Sequence, residues 1–338
     1  MTDDDIWAHL DALAKPRRSL GRLEAVAVRL AQTQARIDPR TRARRVVLFA
    51  GDHGCVDDGV SAWPSAVTGM MIATILDGRA ASNALAATND CPLRLVDVGV
   101  AGPRPTTPPP FYRDARVADG TASLAHGPAM NAAQFRAAWL VGAEEADAAV
   151  DDGAAVLIAG EMGIGNTTPA AALTALLTGV AAVDAVGRGA GADDATVANK
   201  TRIVTDAVDR ARPLLADDPA AAIAAVGGYE IAAMAGFFAR GAERRATLLL
   251  DGYVATAAAL VTERLAPGSV TAMIAGHRSA EPGHGAALVH LGLEPLLDWG
   301  MRLGEGSGAL IALPLLDAAA ALLGDVARLD AIGASRAD

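Results

Sequence analysis

Ala154-Ala155-Val156-Leu157-Ile158-Ala159-Gly160-Glu161-Met162-Gly163-Ile164-Gly165-Asn166-Thr167-Thr168-Pro169 is the stretch on which the fold turns. Residues 154–159 form a short apolar run closed by glycine, the mark of a buried strand. Beyond Pro169 the chain becomes alanine-rich and helical. Strand, glycine turn and helix together make the repeating unit of a parallel α/β sheet. The same unit recurs along the chain. Residues 46–50 end at Gly51-Asp52-His53-Gly54, and residues 93–98 end at Gly99. Residues 246–250 end at Asp251-Gly252, and residues 270–275 end at Gly276-His277. Helical patterns over 132–150 and 199–215 lie between these candidates. The expected fold is α/β, a Rossmann-like parallel sheet flanked by helices. Each strand candidate ends in glycine or glycine with a polar residue, so polar loops should gather at one edge, where such sheets bind ligands.

The two ends of the chain differ from the middle. Residues 1–40 and 284–325 are helical in pattern, apart from a glycine loop. We therefore expect an α/β nucleotide-binding domain over 41–283. Residues 1–40 plus 284–338 should form a small helical subdomain carrying that loop. Residues 102–112 hold five prolines and read as an irregular surface loop.

Composition narrows the function. The 338 residues are 52% hydrophobic, enough for a sizeable core, and only 4% aromatic. With 35 glycines and abundant alanine, the elements should pack closely. A net charge of −10 argues against nucleic acid as a partner. Cys55 and Cys91 are the only cysteines, too few for a disulfide framework or a zinc ribbon. The acidic opening Met1-Thr2-Asp3-Asp4-Asp5 is unlike a signal peptide. Apolar runs are broken by Glu230, Asp251 and Asp317, so no membrane span is expected. The expected location is the cytoplasm.

Several loops carry chemistry. Arg302-Leu303-Gly304-Glu305-Gly306-Ser307-Gly308-Ala309 sets a carboxylate among glycines ahead of a helical run. That places Glu305 as a candidate base beside a helix N-terminus able to take an anion. Residues 160–169 make a phosphate or ribose cradle, or a tight turn with Thr167 or Thr168 capping a helix. No Lys follows the last glycine, so this is not a Walker A loop. Asp52-His53 is a metal or acid–base pair, or more simply a turn cap with a histidine packed beneath it. Arg278 and Ser279 suit an anion or a plain polar loop. Lys200, after the glycine-rich 187–191 segment, is a suitable point charge for phosphate, although a lone lysine is usually surface. Asp251 reads as a cap or a ribose contact. His284 and His290 are poorly spaced for a metal, and no metal or cofactor is expected.

Longer motifs in a fixed order carry a more specific signal. Lys15-Pro16-Arg17-Arg18-Ser19-Leu20-Gly21-Arg22-Leu23-Glu24 is followed by Ala50–Gly54, the 160–169 loop, Gly227-Gly228-Tyr229-Glu230 and Leu250-Asp251-Gly252-Tyr253. Then come residues 277–281, Glu294-Pro295 and the Glu305 loop. This series resembles the nicotinate-nucleotide–dimethylbenzimidazole phosphoribosyltransferases, which make the lower-ligand nucleotide of cobalamin. The resemblance implies transfer of phosphoribose from nicotinate mononucleotide to 5,6-dimethylbenzimidazole with inversion at C1′, and it implies a homodimer. It implies Glu305 as general base, Glu161 and Gly163 at the nucleotide, and Gly189, Lys200, Ser279 and Gly308 at the phosphate. Met162 and Leu303 would wall the azole. Two departures stand out. Arg17-Arg18 replace a Pro-Gly common in the family. Trp63 and Met71 fall in the azole-pocket segment, where some members carry Ser and Gln, so a related azole could be the acceptor. A non-catalytic nucleotide- or azole-binding protein on the same fold is the alternative. A nicotinamide-dependent oxidoreductase is disfavoured by the missing third glycine of the dinucleotide fingerprint.

Overall fold

A computed structural model describes residues 2–333. Met1 and residues 334–338, the latter part of the expected helical subdomain, lie outside the described residues. Six strands form one sheet: β1 (Arg44–Gly51), β2 (Leu93–Gly99), β3 (Tyr112–Asp114), β4 (Val156–Met162), β5 (Thr247–Leu250) and β6 (Met273–Ala275). Their spatial order is β3-β2-β1-β4-β5-β6 and every neighbouring pair is parallel. The chain reverses its direction of travel across the sheet between β1 and β4. A crevice opens above such a switch point.

The α/β expectation holds, with three local differences. The edge strand β3 follows directly on the proline-rich loop and has no counterpart among the five strand candidates. Residues 269–272 form a 3₁₀ turn, so the last candidate contributes only Met273–Ala275 as strand. Strand β4 continues through Gly160, Glu161 and Met162 instead of stopping at Ala159. Gly160 keeps its place in the ladder, opposite Leu48.

Both faces of the sheet are covered, as a parallel sheet requires. Val47, Phe49, Leu157 and Leu248 face one core, beneath the helices Ala132–Asp151, Thr167–Thr178, Tyr229–Glu243 and Tyr253–Leu265. Val46, Leu48, Ile158 and Leu249 face the other, beneath Arg22–Gln34 and Ser307–Gly324. Arg22–Gln34 and Ser307–Gly324, one from each terminal segment, thus pack on this second face, whereas Pro282–Leu291 packs in the first core. Ser307–Gly324 is long and apolar enough by composition to cross a membrane, yet half of it is buried on the sheet.

Small residues set the spacing of the first layer. A Cβ on Gly142 would lie 1.7 Å from the Ala233 carbonyl oxygen. The helices Ala132–Asp151 and Tyr229–Glu243 therefore meet backbone to backbone.

The N-terminal motif explains itself physically. Lys15 Nζ donates to Glu24 Oε1 at 2.9 Å, and the Leu20 amide donates to the same oxygen at 3.0 Å. Arg18, which stands where the family often has glycine, adopts φ +57°. Its guanidinium lies 3.6 Å from the centroid of the Trp7 ring and donates to Asp11, contacts that offset a strained turn.

Beneath the ends of β1 and β4, His53 Nε2 lies 3.0 Å from Glu230 Oε1, both side chains fully buried. Burial alone would depress the His53 pKa, but the nearby charges of Glu230 and Asp52 outweigh it and hold the pKa above its ordinary 6.5. His53 is thus packed as the simpler reading of this motif expects, and Asp52 accepts the Ala101 amide at 2.9 Å. Glu230→Gln leaves His53 without its buried counter-charge and should cost about 3–5 kcal/mol in chemical denaturation. A raised histidine pKa stabilises at low pH and ceases to do so as pH rises through it. The wild-type advantage should therefore be greatest below pH 6.5 and shrink on the alkaline side.

Candidate active site

The loops after β1, β4, β5 and β6 line one cleft, closed on its far side by the segment from Arg302 to Gly304 and by the glycine-rich 187–191 loop. Glu161, Met162, Gly163, Gly189, Lys200, Ser279 and Leu303 all line it. They come from five separated stretches of sequence, brought together by strand ends.

At one end lies a cationic seat. Lys200 sits on the helix Asp194–Ala211 and is only 1% exposed. Its Nζ donates to Thr167 Oγ1 at 2.6 Å and to the Gly187 carbonyl at 3.3 Å. Burial lowers its pKa to about 8, although the nearby Glu281 carboxylate opposes the shift. Thr167 opens its helix as an acceptor for Lys200, and no side-chain cap closes that helix. The capping role read from sequence is thus replaced by a lysine contact. The Gly189 amide donates to Glu281 Oε1 at 3.0 Å, so a carboxylate occupies a donor facing the cleft. The Ser279 amide donates to His284 Nδ1 at 2.7 Å. Desolvation drives the His284 pKa down to about 3, so the imidazole is a neutral acceptor. Arg278 pairs with Asp298 at 3.3 Å and is not among the cleft-lining residues.

Carboxylates gather beside another part of the lining. Burial, reinforced by the charges of Asp251 and Glu230, raises the Glu161 pKa to about 8. The Asn166 amide donates to it. Glu305 is 2% exposed, and its Oε2 accepts from Ser82 Oγ at 3.0 Å. Burial raises its pKa too; the hydrogen bonds from Ser82 counter the shift and the charge of Asp251 adds to it. Asp251 is the cap that sequence allowed. It accepts the amides of Gly306 at 3.0 Å, Gly308 at 2.7 Å and Ala309 at 3.3 Å.

Glycine is needed at one junction here. A Cβ on Gly160 would lie 2.4 Å from the Gly306 nitrogen. Strand β4 and the Glu305 loop therefore touch through bare backbone, which brings Glu161 and Glu305 to one end of the cleft.

Glu305 and Gly308 lie just behind the lining, one and four residues past Gly304. Trp63 and Met71 are also outside the lining; the nearest wall on that side is Val60, Ser61 and Ala62. Trp63 is 51% exposed, and its indole N–H donates to the Ala190 carbonyl at 3.2 Å. Arg302 holds the adjacent Gly189 carbonyl at 2.8 Å. Sequence reasoning gave no role to His277 and Glu281 in the lining, or to Ser82 behind it. The first two fall inside a loop already singled out at its strand end. Ser82 carries no signal, since it sits on an ordinary helix 223 residues from its partner. Among the described residues, no group of three or more His, Cys, Asp or Glu side chains is arranged to hold a metal.

A cleft lined by a buried lysine and a buried carboxyl suits an anionic substrate. Comparison with known proteins identifies the family. The phosphoribosyltransferase family model DBI_PRT matches residues 2–333. The nicotinate-nucleotide–dimethylbenzimidazole phosphoribosyltransferase of Mycobacterium marinum is 49% identical over 331 residues, covering 98% of this chain and 91% of that one. The same enzyme of Mycobacterium tuberculosis is also 49% identical, covering 97% and 90%. The crystal structure of CobT from Thermus thermophilus superposes with a TM-score of 0.94 at 44% identity, covering 98% and 100%. Matched along nearly its whole length in both sequence and fold, the chain belongs to the nicotinate-nucleotide–dimethylbenzimidazole phosphoribosyltransferase family and is an enzyme of that transferase class.

Proposed function

We propose that the chain transfers the 5-phosphoribosyl group of nicotinate mononucleotide to 5,6-dimethylbenzimidazole or a closely related azole. The products are α-ribazole 5′-phosphate and nicotinate. The observation that carries the mechanism is Glu305, a buried carboxylate held by Ser82 directly after Gly304 of the cleft lining. The unprotonated azole nitrogen attacks C1′ on the face opposite nicotinate, and the bond from C1′ to the pyridine nitrogen breaks. Its electron pair returns to the ring and cancels the positive charge, so nicotinate leaves without an acid. Attack from the opposite face inverts β to α. As the new bond forms, the azole N–H becomes acidic, and Glu305 takes that proton.

The remaining residues bind and orient. Lys200, Gly189 and Ser279 suit the phosphate, with Gly308 close by; its amide is held by Asp251 in this structure. Glu161 and Gly163 suit the ribose. A carboxyl with a pKa near 8 is largely protonated at neutral pH and can donate as well as accept. Val60, Met162 and Leu303 give an apolar wall for a flat base. Trp63 and Met71 lie farther out, where they bear on the cleft mouth. The family resemblance supports a homodimer.

Incubation with nicotinate mononucleotide and dimethylbenzimidazole should release nicotinate and the α-nucleotide; binding of both without turnover would favour the non-catalytic alternative. Glu305→Gln should lower kcat by roughly 10²-fold or more. Activity needs ionised Glu305, so kcat should fall as pH drops through a pKa above the ordinary 4.5. Lys200 loses its charge as pH rises through about 8, so KM for nicotinate mononucleotide should climb there, and Lys200→Met should abolish that climb. In an acceptor panel, dimethylbenzimidazole should outcompete adenine. Each methyl gains about 0.8 kcal/mol against an apolar wall, whereas adenine's amino group goes unpaired. A dimer mass by light scattering is expected.

A further inference from the structure

We propose that Asp251 is a positioning residue, whose carboxylate fixes the backbone that presents Glu305. The inference rests on Glu305 being the proton acceptor. Asp251 lies just past β5, is 2% exposed, and spends both oxygens on one short segment. Oδ2 accepts the Gly306 amide, while Oδ1 accepts the amides of Gly308 and Ala309. These donors open the helix Ser307–Gly324 and would otherwise have no intrahelical partner.

The segment needs a restraint. Glu305 is a non-glycine residue at φ +57°, a conformation that costs on the order of 1 kcal/mol or more. Its side chain is tethered by Ser82, and the amide immediately after it is tethered by Asp251. A base shifted by about 1 Å can lose 10²-fold in rate.

Charge gives a second handle. Asp251 faces His277, whose Nε2 is 3.6 Å away and whose ring lies against Gly308. It also faces the carboxyls of Glu161 and Glu305. Glu305 in turn faces Ser82, Asp251 and Glu161. The Asp251 charge helps to hold both neighbouring carboxyls above their ordinary range.

Two substitutions separate geometry from charge. Asp251→Asn is isosteric, but it turns an NH2 toward an amide that the carboxylate had bound. Steady-state kinetics should show kcat down roughly 10²-fold with the KM for nicotinate mononucleotide within about 3-fold. The acid limb of the kcat–pH profile should move to lower pH, since a like charge beside Glu305 is gone. Asp251→Glu keeps the charge and displaces it; kcat should fall comparably while the acid limb stays in place. Glu305→Gln is measured alongside. If it retains wild-type kcat, the base assignment fails and this inference with it. If it loses activity but both Asp251 variants keep kcat, only this inference fails. A tenfold rise in nucleotide KM with intact kcat would make Asp251 a substrate contact and overturn the positioning role. Thermal melts report folding, and Asp251→Glu carries the test if Asp251→Asn does not fold. Failure of both to fold would also overturn it, by making Asp251 a requirement of the whole fold.

Discussion

Asp251 joins the sheet to the helix Ser307–Gly324 through hydrogen bonds from the Gly306, Gly308 and Ala309 amides to one carboxylate. The arrangement is electrostatically sensible in isolation. A helix N-terminus carries partial positive charge and four unsatisfied donors, and a buried anion is the natural counterpart. Here the counterpart comes from a strand end distant in sequence. The C-terminal helix is therefore anchored to the sheet edge where the cleft forms, and the loop in front of it inherits that anchorage. Glu305 and the contact of Gly306 with β4 both hang on this one attachment.

The same attachment concentrates negative charge. Glu161, Asp251 and Glu305 are all buried at one end of the cleft, and Glu230 lies beneath. Three ionised carboxylates cannot share a dry site without cost: burial raises the pKa of each, and repulsion from neighbouring carboxylates adds to the shift of Glu161 and Glu305. The protein divides the load. Asp251 is offset by helix amides, Glu161 shifts towards its neutral form, and Glu305 stays the least crowded, with a hydroxyl partner. Lys200 in the same cleft is buried with a pKa lowered to about 8, so its charge too is adjustable near neutral pH. Such coupled groups titrate together, and a pH profile will report the cluster as much as any single member.

Much of this was legible in the sequence because strand ends announce themselves. The apolar runs before Gly51, Gly99, Gly160, Asp251 and Gly276 became β1, β2, β4, β5 and β6. Strand β3 escaped notice because three residues after a proline-rich loop hold no period; only pairing with β2 makes them a strand. Residues 270–272 were misread because a short apolar run looks alike as strand or buried turn. In the site, glycine loops located the lining residues. They could not locate Ser82, whose contact with Glu305 exists only through tertiary packing. Trp63 shows the reverse case, a residue placed in the azole segment by resemblance whose indole is directed by the fold to the Ala190 carbonyl.

The bare contact between Gly160 and Gly306 divides the cleft into two kinds of wall. At Gly160, beside Glu161 and Glu305, backbone meets backbone and a side chain would force the two loops apart. At Ser61 and Ala62, residues that already carry side chains line the cleft. Evolvability is therefore lopsided: chemistry is locked on one side, while acceptor shape is open to revision on the other. A library built to accept new heterocycles belongs on Ser61 and Ala62, which line the cleft outside the core that holds Val60.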